Sequence, residues 1–154
     1  MSPARGLQHQ RLDQFVGRWM GVAETYPSQW NPGGQAKGIW RFRWDAGGSN
    51  LIHSYRETRS SGTFEGNGVF TVDGEKGQLL WFWFDNHGFP PLNPSVGTWS
   101  DDGALVLAKT TPRGVGTSVF RLHEDNILQF SATSQAVGES THSPVVSGIY
   151  RRQQ

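Results

Sequence analysis

Beyond Gly17 the chain keeps one rhythm: short stretches that alternate apolar and polar side chains, each cut off by turn chemistry. A period of two over four to eight residues is the pattern of a half-buried strand. It predicts strands near 17–26, 37–45, 50–59, 63–73, 77–85, 96–100, 104–110, 116–123, 126–136 and 144–152. The breaks are Asn31-Pro32-Gly33-Gly34, Asp45-Ala46-Gly47-Gly48, Ser60-Ser61-Gly62, Asp73-Gly74-Glu75-Lys76-Gly77, Asp101-Asp102-Gly103 and Glu124-Asp125-Asn126. Such short breaks join antiparallel neighbours. Consecutive hairpins in an open sheet would leave two unpaired edges, and closure removes both. The expectation is an all-β fold: a single antiparallel up-and-down β-barrel of about ten strands. It forms one domain over 1–154, with flexible ends at about 1–6 and 153–154. A barrel of that size has room for one small ligand.

One segment departs from the rhythm. Leu7, Arg11, Leu12, Phe15 and Val16 recur at helical spacing, and Gly17 can end the helix. A helix this short needs packing to be stable, so it is expected to plug or cover one end of the barrel.

Composition narrows the function classes. Lysine and arginine number 14 against 13 acidic residues, which leaves no footprint for nucleic acid or an anionic membrane. There is no cysteine, so disulfides, thiolate chemistry and Cys-ligated metals are excluded. The opening residues lack the apolar core of a signal peptide, and no run is long enough to cross a membrane as a helix. A cytoplasmic protein is expected. Hydrolase, metalloprotease, P-loop and dinucleotide-binding motifs are missing. Gly66 and Gly68 lie within a strand, where they mark a bend or a close backbone approach instead of a phosphate cradle.

Alternation assigns the inner faces. If Trp19 points inward, so do Gly21, Ala23 and Thr25, a small face that leaves volume for a pocket or for a large neighbour such as Trp40 or Trp99. Trp40, Phe42 and Trp44 share one face of the second strand, with Arg41 and Arg43 on the other. On the third strand Leu51, His53, Tyr55 and Glu57 form one set, which would carry an imidazole, a phenol and a carboxylate into the barrel. Buried polar groups of this kind bond to one another, to water or to a ligand. The candidate ligand-binding residues are therefore Trp40, His53, Tyr55, Glu57, Trp81, Trp83 and Trp99. If the protein is an enzyme, His53 and Glu57 are the candidate acid and base.

The fifth strand, Leu79 to Phe84, is apolar on both faces. Either Leu79, Trp81 and Trp83 or Leu80, Phe82 and Phe84 must then meet something outside the barrel. The N-terminal helix is one candidate and a second subunit the other; a homodimer through this strand is expected. The proline-rich loop from Asp85 to Pro94 is placed at a rim, as a lip or lid. Asp85 and His87 are too few to make a metal site, and no metal or cofactor is expected.

Several motifs resemble known families. Gly17-Arg18-Trp19 at the first strand and Tyr150-Arg151-Arg152 on the last resemble the calycins, which comprise lipocalins, fatty-acid-binding proteins and nitrobindins. The resemblance implies that Trp19 closes the barrel floor and that Arg151 or Arg152 packs across it. Four more stretches, Leu12 to Gly21, Phe64 to Asp73, Trp83 to Gly88 and Gly97 to Gly103, look like a bacterial calycin-like family known only as a domain of unknown function. That match implies the barrel and no activity. Nitrobindins hold haem through a histidine on the final strand, a few residues before the basic ending. This chain has Val145 and Ser147 at that spacing, and His142 lies further back, before Pro144, which argues against haem.

The first functional reading is a binding protein with a small, largely apolar or aromatic ligand. The second is an isomerase, cyclase or hydratase using the same cavity, and the third a structural role with a filled interior. The interior decides among them.

Overall fold

The computed structural model describes residues 5–29, 32–88 and 90–154. Residues 1–4 of the expected flexible start, Asn31 of the first turn and Phe89 of the proline-rich loop lie outside the described residues. A short helix α1 (Leu7–Leu12) runs into a 3-10 turn (Asp13–Phe15). Ten strands follow among the described residues. They are β1 (Gly17–Thr25), β2 (Gly34–Trp44), β3 (Leu51–Arg59), β4 (Gly62–Val72), β5 (Leu79–Asp85), β6 (Ser95–Trp99), β7 (Leu105–Thr111), β8 (Gly114–His123), β9 (Ile127–Ala136) and β10 (Ser143–Gln153).

Every strand pairs antiparallel with its neighbours in sequence, and β1 pairs with β10 to close the barrel. The closing seam runs from Arg18 opposite Gln153 to Thr25 opposite Val146. The final strand therefore stays paired through Gln153. The weakest seam joins β5 to β6 through Leu79, Leu80 and Trp81 alone, so Trp83 and Asp85 stand beyond the last pair and lower the wall there. No helix among the described residues is long and apolar enough to cross a membrane.

The N-terminal segment seals one end. Leu12 and Phe15 are buried, and the Phe15 ring sits about 6 Å from the rings of Phe42, Trp99 and Phe120. Trp19 Nε1 donates to the Phe15 carbonyl at 2.9 Å. The Arg152 guanidinium lies 4.1 Å from the centre of the Trp19 ring, a cation–π contact. It also donates to the carbonyls of Val16, Gln14 and Asp125. Of the two arginines, Arg152 therefore spans the floor, while Arg151 points to solvent. Gly17 has φ +129°, and a Cβ there would come 3.0 Å from Arg152 Nη1, so the Gly-x-Trp opening needs its glycine for both backbone and space.

Inner faces follow the expected alternation. Trp19, Ala23 and Thr25 are buried on β1, Trp40 and Phe42 on β2, and Leu51, His53, Tyr55 and Glu57 on β3. On β5 the inward set is Leu79, Trp81 and Trp83; Leu80, Phe82 and Phe84 face out, and Phe84 is 52% exposed. The helix does not cover that outer face. It is engaged at the barrel end, where Trp99 Nε1 donates to Gln8 (2.7 Å) and Trp44 Nε1 to Asp13 (2.7 Å). Phe120 occupies the middle of the core, touching the rings of Phe15, Trp40, Phe42, Phe70, Trp81 and Phe130.

The floor geometry yields a contrast between neighbours. Removing a charged donor from two part-buried carbonyls costs about 2 kcal/mol, and the cation–π contact adds to it. Arg152→Ala is thus expected to lower the urea midpoint by that stability, whereas Arg151→Ala shifts it by less than about 0.5 kcal/mol, as for most exposed positions. Equal effects in the two variants would show that Arg152 is not the clasp.

Candidate functional site

The end opposite the helix holds a cavity of about 1180 Å³. Its aromatic wall comes from Trp40, Tyr55, Phe64, Trp81 and Trp83. The indoles are packed together: Trp81 and Trp83 are 5.5 Å apart, and Trp40 lies 5.8 Å from Trp83. Phe130 meets Trp40 edge-on at 5.3 Å and completes the base of the cavity. The facing strands contribute small side chains, among them Ser118, Ala132 and Ser134.

Glycines make room for the aromatic wall. A Cβ on Gly66 would sit 2.0 Å from the Trp83 ring, and one on Gly68 would sit 2.2 Å from His53 Nε2. These two glycines thus mark close approach, as their place within a strand implies. Gly38 and Gly148 do the same for two phenols, where a Cβ would fall 2.2 Å from the Tyr55 hydroxyl and 2.4 Å from that of Tyr150. On β1 itself, a Cβ at Gly21 would fall 1.8 Å from the Ile149 carbonyl oxygen, so that glycine marks a close approach to β10, with the two tyrosines seated on the strands either side. The open volume lies above them.

The phenols begin a buried hydrogen-bond chain. Tyr55 donates to Glu57 Oε1 at 2.7 Å. A hydroxyl has one proton, so in the 2.8 Å contact between the two phenols Tyr150 is the donor and Tyr55 the acceptor. Glu57 is 2% exposed, and its second oxygen receives Arg59 Nε (2.9 Å) and Nη2 (2.5 Å). Arg59 reaches on to the Thr25 hydroxyl, tying β3 to β1 at the mouth. A buried carboxylate is tolerable only when paired and hydrogen-bonded in this way. Burial pushes both phenols well above the ordinary tyrosine range. For Tyr55 the neighbouring Tyr150 and Glu57 push the same way, while for Tyr150 the bond to Tyr55 opposes the rise. Neither phenol is an acid near neutral pH. Trp40 Nε1, beside them, makes no hydrogen bond of regular geometry among the described residues, but it faces Tyr150 closely enough to oppose the rise of that phenol.

His53 belongs to the packed core beneath the cavity. Its Nε2 accepts from Trp81 Nε1 at 2.8 Å, so the proton sits on Nδ1, which faces the Leu51 carbonyl at 3.3 Å. The rings of Phe70 and Phe42 lie 4.5 and 5.0 Å away. Burial depresses its pKa from 6.5 to about 3. Both ring nitrogens are used, and neither meets Glu57, whose partners are Tyr55 and Arg59. Trp99 lies at the helix end, stacked on Phe15 and bonded to Gln8. Of the seven candidate ligand residues, Trp40, Tyr55, Glu57, Trp81 and Trp83 line the cavity; His53 and Trp99 do not. At the rim Asp85 accepts from Trp83 Nε1 (2.9 Å) and from the His87 backbone N–H (3.0 Å), and the His87 ring packs on Phe64. No cluster of three metal-ligating side chains occurs among the described residues. His142 is exposed just before β10, where Val146 takes an inward position.

The strand pattern alone does not single out Arg59, Tyr150 or Lys109 as interior polar groups. Two of them carry a signal that could have found them: Arg59 continues the 51-53-55-57 alternation, and Lys109 continues Leu105 and Leu107 on β7. Tyr150 carries a motif signal, but as part of the floor.

With this geometry in place the comparisons become informative. A family model matches residues 5–152. The chain belongs to that family, described as protein of unknown function (DUF1579). No curated protein is significantly similar in sequence. Among solved structures, the S-type phycobiliprotein lyase CPES from Guillardia theta superposes with a TM-score of 0.71 at 9% identity, covering 97% of this chain and 94% of its own. Rv2717c from M. tuberculosis gives 0.72 at 15% identity, covering 98% and 100%. A protein of unknown function from the DUF3598 family of Nostoc punctiforme gives 0.64 at 16% identity, covering 92% of this chain and 49% of that one. At these identities the shared property is the barrel fold.

The state of His53 sets a pH dependence. Below pH 6.5 the unfolded chain takes up a proton at His53 that the folded chain refuses until about pH 3. Stability from this site is complete above pH 6.5 and declines as the pH falls through that window, by up to about 1.4 kcal/mol per pH unit. His53→Gln retains an acceptor for Trp81 and does not titrate. Its urea-derived stability is expected to fall less steeply than wild type between pH 6.5 and 4. Parallel curves would mean that His53 titrates normally.

Proposed function

We propose that this DUF1579 protein binds a small molecule with a flat aromatic or conjugated body, seated against the half-buried Trp83, with Trp40 and Trp81 packed behind it. The observation that carries this reading is the unequal filling of the barrel. The helix end is packed solid with Phe15, Trp19 and Phe120, while small residues opposite the tryptophan wall leave about 1180 Å³ at the other end. An apolar wall with a few fixed polar groups is the usual make-up of a ligand pocket. The similar barrel from Guillardia theta is a phycobiliprotein lyase, which is in keeping with a ligand-handling role. An isomerase, cyclase or hydratase role through His53 draws no support from an imidazole that is neutral, doubly bonded and beneath the cavity. The cysteine-free composition suits a reducing cytoplasm.

The neutral dye N-phenyl-1-naphthylamine tests the pocket. It is expected to brighten on binding the wild type and to quench tryptophan emission by energy transfer. Ala132→Trp, which fills the space opposite the indoles, should abolish both while the thermal midpoint holds. Binding that survives this variant would place the dye elsewhere.

The same reading includes a homodimer. Leu80, Phe82 and Phe84 face outward as an apolar strip along β5, flanked by Val69 opposite Phe82 and Val96 opposite Leu80, with the polar Thr71 and Asn67 at its β4 border. A second copy of this strip matches its chemistry under two-fold symmetry. Light scattering is expected to give twice the 17.1 kDa chain mass, and Phe82→Lys with Phe84→Lys to return it to one. A wild-type monomer at micromolar concentration would refute the dimer.

A further inference from the structure

We infer that Lys109 is the anion-recognising residue of this cavity, so that the ligand is an aromatic acid: a flat ring system carrying one carboxylate-like group. The inference deepens the proposed pocket and rests on it.

Three acidic or basic side chains that line the cavity are already engaged. Glu57 gives one oxygen to Tyr55 and the other to Arg59. Asp85 uses its two on Trp83 and the His87 backbone. Arg59 is held by Glu57 and Thr25. Lys109 differs. It follows buried Leu105 and Leu107 on the inner face of β7 and is itself half-buried at the cavity wall. No ion pair or hydrogen bond engages its ammonium among the described residues.

Position gives the ammonium its partner. In the ring of ten strands β7 stands five places from β2 in either direction, so Lys109 lies across the barrel from the strand that carries Trp40. Its cross-strand partner is Gly116, where a Cβ would have nothing within 4 Å. Space around the ammonium is therefore open. Trp83, on β5, stands only two places from β7, so a flat ligand lying against it would run past Lys109, and an anionic group on its edge would gain a charge-assisted hydrogen bond away from bulk water. A neutral ligand would leave the half-buried charge without a counterion.

Two dyes with one ring system isolate this interaction. 1-Anilinonaphthalene-8-sulfonate carries an anionic group that N-phenyl-1-naphthylamine lacks. Wild type is expected to prefer the sulfonate, and added salt should weaken that dye alone. Lys109→Gln should weaken the sulfonate about tenfold, the equivalent of one charged hydrogen bond, and leave the neutral dye unchanged. Lys109→Arg should retain the preference. If the neutral dye binds but wild type shows no salt-sensitive preference for the sulfonate, or Lys109→Gln keeps it, the anion site is wrong while the pocket stands. If neither dye binds wild type, the pocket fails and the inference falls with it.

Discussion

The pairing of β1 with β10 is the constraint on which the other features depend. It turns an open ten-strand sheet, with two unpaired edge strands, into a closed ring in which the short β5–β6 seam is the weak place. It also brings the last residues of the chain against the first strand. Only then can Arg152 reach the Trp19 ring and the carbonyls of Gln14 and Val16. The clasp in turn holds the 3-10 turn that drives Phe15 into the core. Closure and plugging are one event, and the asymmetry of the barrel follows: the clasped end is filled by the chain's own rings, and the far end is left to something else.

How deep that far end reaches is a matter of glycines. Gly38, Gly148, Gly66 and Gly68 each leave a hollow on the inner wall, and Tyr55, Tyr150, Trp83 and His53 lie in them. Large rings thus press flat against the backbone instead of meeting at the barrel axis. This explains how a chain with seven tryptophans retains an unfilled interior. Aromatic volume has been moved into the wall.

Much of this is legible in the residues alone. A two-residue period is a direct consequence of strand geometry, so the ten strands and their inward sets, including the buried Glu57, can be read without tertiary knowledge. Periodicity gives a face but no height along the barrel axis. That is why alternation groups Trp99 and His53 with the pocket: both point inward, yet Trp99 sits at the plugged end and His53 one layer below the cavity. Arg59 escapes the pattern because a charged residue at a strand end normally reads as solvent-facing. The Glu57 carboxylate two positions earlier supplies the compensation that brings it in. The partner of a buried charge is a tertiary fact unless it lies on the same strand face, as here.

The same distinction bears on specificity. The Tyr150–Tyr55–Glu57–Arg59 chain is the most conspicuous polar feature of the interior, and it attracts a catalytic reading. Yet nearly every donor and acceptor in it is spoken for within the protein, so a ligand would have to break a bond to gain one. Satisfied networks rigidify a wall; they do not by themselves recognise anything. Discrimination among ligands falls to groups whose needs the fold leaves unmet. In this barrel that argument moves attention from the buried carboxylate to the facing wall, where a lysine stands among glycine, serine and alanine with no counterion of its own.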